Sequence, residues 1–290
     1  MKIGFHMSIA RGFDYLSKEF MKLGCESLQI FVKNPRSWVK KDWTYEEIFL
    51  FKKNFSSVPV FAHLSYLPNL AEGSTKDFSG FFEEIELSLK LGIGSIVIHP
   101  GSNKNKSEAV ERISVAIKEA KRRYQIDILI ENSSGQGNSL CSSVEEMSRI
   151  FEKIKSTKGV KICLDLAHLF QAGIDVRDPE VWEKFLSSLE MCLGKGRIGL
   201  LHINDSKTDL GSRIDRHWHI GLGKLGKRTF ARILNDERLK DLCGIMETPG
   251  MGKLDSANMK TIRSLLGPSA YPWDEGGDHP ISKANYGAMA

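Results

Sequence analysis

Six short apolar runs along the chain each lead directly into a residue able to bind a divalent metal. VPVFA precedes His63, SIVI precedes His99, IDILI precedes Glu131, VKICL precedes Asp165, IGLL precedes His202 and CGIM precedes Glu247. The ligand-capable residues are separated by 36, 32, 34, 37 and 45 residues, close to the length of a strand, its crossover helix and the return. Runs of Ile, Val and Leu without alternation are the pattern of strands buried on both faces. If these runs form one parallel sheet, all six side chains stand at the same rim. One metal site takes three or four protein ligands, so six converging ligands point to more than one metal.

Runs at Lys2–Phe5 and Leu28–Val32 join Val58–Ala62, Ser95–Ile98, Ile126–Ile130, Val160–Leu164, Ile198–Leu201 and Leu242–Met246 to make eight expected strands. Helical stripes lie between them: Phe81, Ile85, Leu89 and Gly92 mark one, and Val110, Ile113, Ile117 and Tyr124 another. Thr44 with Glu47, and Ser143 with Glu146, have capping-box spacing. Eight strand–helix units predict an α/β chain folded as a closed (β/α)₈ TIM barrel rather than an open doubly wound sheet, with the metal site at the C-terminal rim of the strands. A chain of 290 residues suits a single domain on this plan. No break in composition precedes Gly267, so residues 1–267 read as one catalytic domain. Pro268–Ala290, rich in Gly, Pro and Ala, reads as a flexible tail. Its His279, with Asp274, Glu275 and Asp278 nearby, is not counted among the ligands.

Several classes are excluded or disfavoured. No window of 18 uncharged apolar residues exists and the start lacks a secretory signal, so no membrane association is expected. The five cysteines are odd in number and include no C-x-x-C pair. They read as reduced and structural, in a cytoplasmic protein, with Cys163 and Cys243 in buried strands. The net charge of +5 permits a nucleic-acid partner without arguing strongly for one.

Two further pairs enlarge the ligand set. Asp165 is followed by His168 in DLAHLFQAG, and Asp215 by His217 in GSRIDRHWHIG. In extended backbone, residues two apart point the same way, so Asp215 and His217 can grip one ion. His219 shares that face, as an outer partner or a surface residue. His6, ending the first strand, is read as a structural hydrogen-bonding residue. Nine imidazole and carboxylate ligands without thiolate suit Zn²⁺, Mn²⁺ or Fe²⁺ better than Ca²⁺ or Mg²⁺. They can serve three metals if one carboxylate bridges, and adjacent metals suit phosphoryl transfer. Gly221-Leu222-Gly223-Lys224-Leu225-Gly226 matches the dinucleotide pattern G-x-G-x-x-G, but it follows a loop rather than a strand. It is read as shaping the loop that carries Asp215 and His217.

The segments GFHMS, KNPRSW, AHLSYLPNL, IHPGS, IENSSGQG, CLDLAHLFQAG, LHINDSKTDLGSRIDRHWHIG and METPG together resemble the endonuclease IV family of abasic-site endonucleases. The resemblance covers nearly the whole chain except the tail. It implies three zinc ions: one on His63, His99 and Glu131, a second on Glu131, Asp165, His202 and Glu247, and a third on His168, Asp215 and His217. Mn²⁺ could occupy one position. The implied reaction is cleavage of the phosphodiester 5′ to an abasic site in double-stranded DNA, giving a 3′-hydroxyl, with 3′-phosphodiesterase activity besides. Hydroxide supplied by the metals would be the nucleophile, positioned by Glu131 as the catalytic carboxylate. Arg36, Tyr66 and Leu67 match the family's DNA-penetrating residues. Ser206, Lys207, Ser212, Arg213 and Arg216 offer phosphate contacts near the third metal. The main rival is a single-metal sugar isomerase or epimerase on the same barrel, which Glu131, Asp165, His202 and Glu247 alone would serve. A DNA-damage-binding module without catalysis would not need the full ligand set. Nothing in the sequence calls for an oligomer, so a monomer is expected.

Overall fold

The structure is a computed structural model that describes residues 1–155, 158–250 and 252–267; the expected tail, Pro268–Ala290, lies outside the described residues. Along the chain run β1 (Lys2–His6), α1 (Phe13–Leu23), β2 (Ser27–Phe31), α2 (Tyr45–Phe55), β3 (Val60–His63), α3 (Thr75–Lys90), β4 (Ser95–Ile98) and α4 (Lys106–Arg123). Then follow β5 (Asp127–Glu131), α5 (Val144–Ile154), β6 (Val160–Asp165), α6 (Leu166–Gln171), α7 (Pro179–Leu193) and β7 (Ile198–His202). The loop after β7 forms a small antiparallel hairpin, β8 (Asp205–Ser206) with β9 (His217–Trp218), before α8 (Gly226–Leu234), β10 (Cys243–Met246) and α9 (Asp255–Leu265).

Eight strands close into a parallel barrel in the order β1-β10-β7-β6-β5-β4-β3-β2. All eight expected strands are present, displaced by no more than two residues at their ends. The alternation of side chains across each strand divides the core. Ile96, Ile98, Ile128, Ile130, Ile162 and Leu164 join the large cluster beneath the helices. Their intervening neighbours Val97, Leu129, Cys163, Leu200 and Ile245 form a separate small cluster filling the barrel interior. That plug fills the lumen beneath the C-terminal rim. Where β1 meets β2 the backbones approach closely: a Cβ on Gly4 would sit 1.7 Å from the Ser27 carbonyl oxygen.

The helix signals hold in part. Thr44 and Glu47 make a reciprocal capping box on α2. Ser143 caps α5 by accepting from Glu146 N, but the Glu146 carboxylate accepts from Ser142 instead. A further box, Ser74 with Asp77 on α3, uses aspartate where the usual pattern asks for Glu or Gln. Phe81 and Ile85 are buried, whereas Gly92 lies beyond the end of α3 in the left-handed region, at φ 82°. All five cysteines are free. Cys163 is buried as expected, and Cys25 and Cys141 are buried too, but Cys243 is only half-buried and Cys192 is exposed on α7, so Cys192 has no packing role. No helix among the described residues is long and apolar enough to cross a membrane.

Candidate metal centre

The strand ends bring the ligands together as the spacing demands. His63, Glu131, Asp165 and His202 are the last residues of β3, β5, β6 and β7, while His99 and Glu247 stand one residue beyond β4 and β10. Register sets Asp165 directly beside His202. Asp165 also caps α6: its Oδ1 accepts from His168 N at 2.7 Å, which fixes His168 one turn on and returns its ring to the rim. The DLAH motif is therefore a strand end and a helix cap at once.

Three groups of donor atoms result, the atoms of each within 4.8 Å of one another: His63, His99 and Glu131; Glu131, Asp165, His202 and Glu247; and Asp165, His168 and His217. Glu131 is fully buried and faces two ways. Its Oε2 lies 3.1 Å from His63 Nε2 and 3.5 Å from His99 Nε2, and its Oε1 lies 3.0 Å from His202 Nδ1. In the third group Asp165 stands where Asp215 was expected, but Asp215 Oδ1 is also close, 3.2 Å from His168 Nε2 and 3.6 Å from His217 Nε2.

For His63, His168, His202 and His217 a hydrogen bond on the far side of the ring fixes which nitrogen faces inward. His63 Nδ1 donates to Leu64 O at 2.8 Å, and His168 Nδ1 to Asn132 O at 2.9 Å. His217 Nδ1 lies 3.3 Å from Glu247 O, and His202 Nε2 donates to Gln29 Oε1 at 2.9 Å. Each inward nitrogen thereby presents its lone pair to the centre. His168 Nε2 and His217 Nε2 are then two such atoms only 3.3 Å apart, an arrangement that asks for a cation between them. The donor chemistry therefore fits divalent metal.

Charge supports the same fit. Burial opposes ionisation of Glu131, but His99 and His202 outweigh it and hold the carboxyl well below the usual range. Glu247 is likewise held well down, burial being overcome by His202 and His6. Burial also works against protonation of His168, yet Asp165 and Asp215 drive it well above its ordinary value. Asp215 falls to about 2, the His168 contact overcoming its burial. The anionic rim thus draws positive charge to the positions a metal would take.

Three residues that carry the centre escaped the sequence reading. Gln29, fully buried, donates from Nε2 to Glu247 Oε1 at 2.7 Å while accepting from His202. Asn132 clasps the Asp165 backbone, donating to its O at 3.0 Å and accepting from its N at 2.6 Å. Asn204 donates to Asp165 Oδ2 at 2.6 Å and accepts from Glu247 N at 2.7 Å. The available signal was a polar residue inside the apolar run SLQIF, and Asn one or two places after a ligand in IEN and HIN. His6 keeps its structural role, with Nδ1 at 3.2 Å from Glu247 Oε1. His219 is not at the centre; its Nδ1 pairs with Asn258 at 3.2 Å, because β9 ends at Trp218 and the extended register stops there.

The centre opens into a cavity of about 380 Å³ lined by His99, His168, Asp215, Tyr66 and Arg216 among others. A neighbouring cavity of about 460 Å³ shares Tyr66, His99, His168 and Asp215 and adds Ser102, Ser133, Ser134 and Gln136. Tyr66 is 61 % exposed, and its ring lies 5.2 Å from Phe31. Leu67 beside it is half-buried and Arg36 is exposed. The two loops are joined where Tyr66 N donates to Pro35 O at 3.2 Å. Lys207, Arg213 and Arg216 are exposed on the loop around β8 and β9, with Lys207 Nζ 4.4 Å over the Trp218 ring. Ser206 does not offer a phosphate contact as expected: it is buried, its hydroxyl donating to Thr208 O. Ser212 donates to Thr208 Oγ1.

A protein of Chloroflexus aurantiacus named as a probable endonuclease 4 is 37 % identical over 284 residues, spanning 91 % of this chain and 98 % of that one. The chain belongs to the endonuclease IV family. Residues 18–267 match the broader family described as xylose isomerase-like TIM barrel. An apurinic-apyrimidinic endonuclease of Caenorhabditis elegans is 34 % identical across 85 % of this chain and 66 % of its own length. Among solved structures, endonuclease IV from Thermus thermophilus superposes with a TM-score of 0.80 at 32 % identity, covering 91 % of this chain and 98 % of that one. Family membership and barrel agree with the resemblance that the ligand-bearing segments carried.

Proposed function

We propose that this chain is an abasic-site endonuclease of DNA base excision repair, cutting the phosphodiester 5′ to the lesion in duplex DNA and leaving a 3′-hydroxyl. The observation that carries the reading is the buried Glu131 carboxylate with separate ligand groups on its two oxygens, at the floor of a mouth rimmed by Tyr66 and Arg216. His63, His99 and Glu131 would hold one zinc ion, Glu131, Asp165, His202 and Glu247 a second, and His168, Asp215 and His217 a third, with Mn²⁺ able to replace zinc at one position. Bound there, such ions lower the pKa of water and neutralise charge on a phosphoryl group.

The chain's own residues divide the remaining work. Gln29 and Asn204 hold Glu247 and Asp165 in orientation. Ser102, Ser133 and Gln136 line the adjoining cavity and offer donors to a phosphodiester, while Arg36, Lys207, Arg213 and Arg216 supply positive charge along the backbone. Tyr66 and Leu67 enter the base stack. Extruding a nucleotide costs a few kcal/mol, and least where the base is already missing, so the wedge selects the lesion. A 3′-blocked end presents the same phosphodiester, which accounts for 3′-end cleaning as a further activity.

The test is a duplex bearing one tetrahydrofuran abasic analogue: zinc-loaded protein nicks it 5′ to the analogue and leaves the undamaged duplex intact, and failure to nick sinks the reading. Stacking on an aromatic ring contributes about 1–3 kcal/mol. Tyr66→Ala therefore weakens affinity for the abasic duplex by about 5- to 150-fold and affinity for undamaged duplex much less; equal losses would remove the wedge role. The Glu131, Asp165, His202 and Glu247 group is by itself a complete single-metal site, which favours the sugar isomerase reading as second choice. Metal analysis separates the two: about one tightly held ion per chain supports the isomerase and about three the nuclease. The enzyme works inside the cell, as a monomer, through residues 1–267. A chain ending at residue 267 then nicks as fast as the full-length protein, and a slower rate would give residues 268–290 a part in the reaction.

A further inference from the structure

The run Gly221-Leu222-Gly223-Lys224-Leu225-Gly226 has the spacing of a phosphate cradle, but its N–H groups are already committed to an anion of the chain itself. The carboxylate of Asp205, fully buried at the start of β8, accepts four backbone hydrogen bonds. Ser206 N at 2.8 Å and Leu225 N at 2.9 Å donate to Oδ1, and Gly221 N at 2.9 Å and Gly223 N at 3.1 Å donate to Oδ2. Leu225 is the N-cap of α8, which has no side-chain cap. The carboxylate therefore sits at the positive end of that helix, where an anion is favoured. The glycines suit this role: Gly221 has φ 74°, and a Cβ on Gly223 would fall 2.5 Å from Asp205 Oδ1 and 2.4 Å from Ser206 O.

The cradle is tied directly to the metal centre. Lys224 N donates to Ser206 O at 2.8 Å, and Ser206 pairs with His217 across the hairpin. Gln171 Nε2 donates both to Ser206 Oγ and to Arg216 O, each at 3.0 Å. The residue next to Asp205 is thus the strand partner of a metal ligand, while Asp205 belongs to none of the ligand groups found among the described residues.

We propose that Asp205 is a positioning residue for the metal group of His168, Asp215 and His217. Its carboxylate gathers the glycine loop against β8, and β8 fixes where β9 presents His217. The proposal rests on the reading of that group as a metal site. In Asp205→Asn an NH₂ group replaces one acceptor and faces N–H donors, so the loop loses its anchor on that side.

The experiment measures zinc bound by the full-length protein after equilibration in zinc buffers, with His217→Ala as the reference for loss of this group alone. Wild type holds about three ions, and Asp205→Asn matches His217→Ala, its missing ion returning only at zinc about 10- to 100-fold higher than wild type needs. Asp205→Asn with wild-type content and affinity overturns the proposal and leaves the metal reading standing. A wild-type protein indistinguishable from His217→Ala overturns the metal reading, and the proposal with it. Loss of every ion from a folded Asp205→Asn protein also overturns the proposal, because Asp205 would then support the barrel as a whole. If Asp205→Asn does not fold, Asp205→Glu, which keeps the charge but displaces the carboxylate from its N–H donors, is judged by the same outcomes.

Discussion

Glu131→Gln lowers the single-turnover nicking rate on an abasic duplex by about 10³-fold or more, while affinity for that duplex stays within about threefold of wild type; a loss of several kcal/mol of metal-assisted stabilisation has that size. The substitution keeps the shape of the side chain and removes the charge shared by two ligand groups. Oε2 faces His63 and His99 and Oε1 faces His202, so either placement of the glutamine NH₂ turns a donor towards a metal position. Glu131 is fully buried beneath the mouth and does not reach the loops of Arg36 and Tyr66, which is why binding survives. Single-turnover rates with enzyme in excess, beside duplex affinities measured in parallel, check both halves. A Glu131→Gln protein that nicks within tenfold of wild type would remove Glu131 from the centre of the reaction.

Stripping the metals with a chelator lowers the thermal midpoint by at least about 10 °C, and added zinc restores it. The ligands come from strand ends spread between His63 and Glu247, so the unfolded chain cannot assemble them and binding stabilises only the folded state. An ion present at about 1,000 times its Kd contributes about 4 kcal/mol, and each kcal/mol moves the midpoint of a domain of this order by about 2–4 °C. Removal also leaves the three carboxylates of Glu131, Asp165 and Glu247 crowded in one group with only histidines and amides to offset their charge, which adds to the loss. Calorimetry or a fluorescence melt with and without chelator decides the matter. A midpoint unmoved by both chelator and zinc would deny the rim its metals.

The two expectations rest on residues that the sequence made visible, and the reason is geometric. In a parallel barrel every strand delivers its last residue to one rim, so a ligand at the end of an apolar run is already placed in space. His63, Glu131, Asp165 and His202 were legible on that ground alone, and DLAH became legible once a strand end could double as a cap. What stayed hidden depends on partners far apart in sequence or on backbone groups that leave no residue pattern. Gln29 meets His202 across 173 positions. Asp205 is held by four N–H groups rather than by any complementary side chain. The β8–β9 hairpin has two residues per strand, too few for any periodicity. Its shortness also ends the extended register at Trp218, before His219, and turns Ser206 inward beneath its own loop, where its hydroxyl meets Thr208 O rather than a phosphate.

The outward bonds of the rim histidines bear on how this enzyme can change. His63, His168 and His217 each lean on a backbone carbonyl, of Leu64, Asn132 and Glu247. No substitution can delete a carbonyl, so the aim of those three rings is insulated from drift in the residues around them. His202 alone rests on a side chain, Gln29. Among these four rings, that makes one glutamine, which is not itself a ligand, the place where a point mutation could retune the centre, and the natural first position to diversify in a search for variants with altered metal preference.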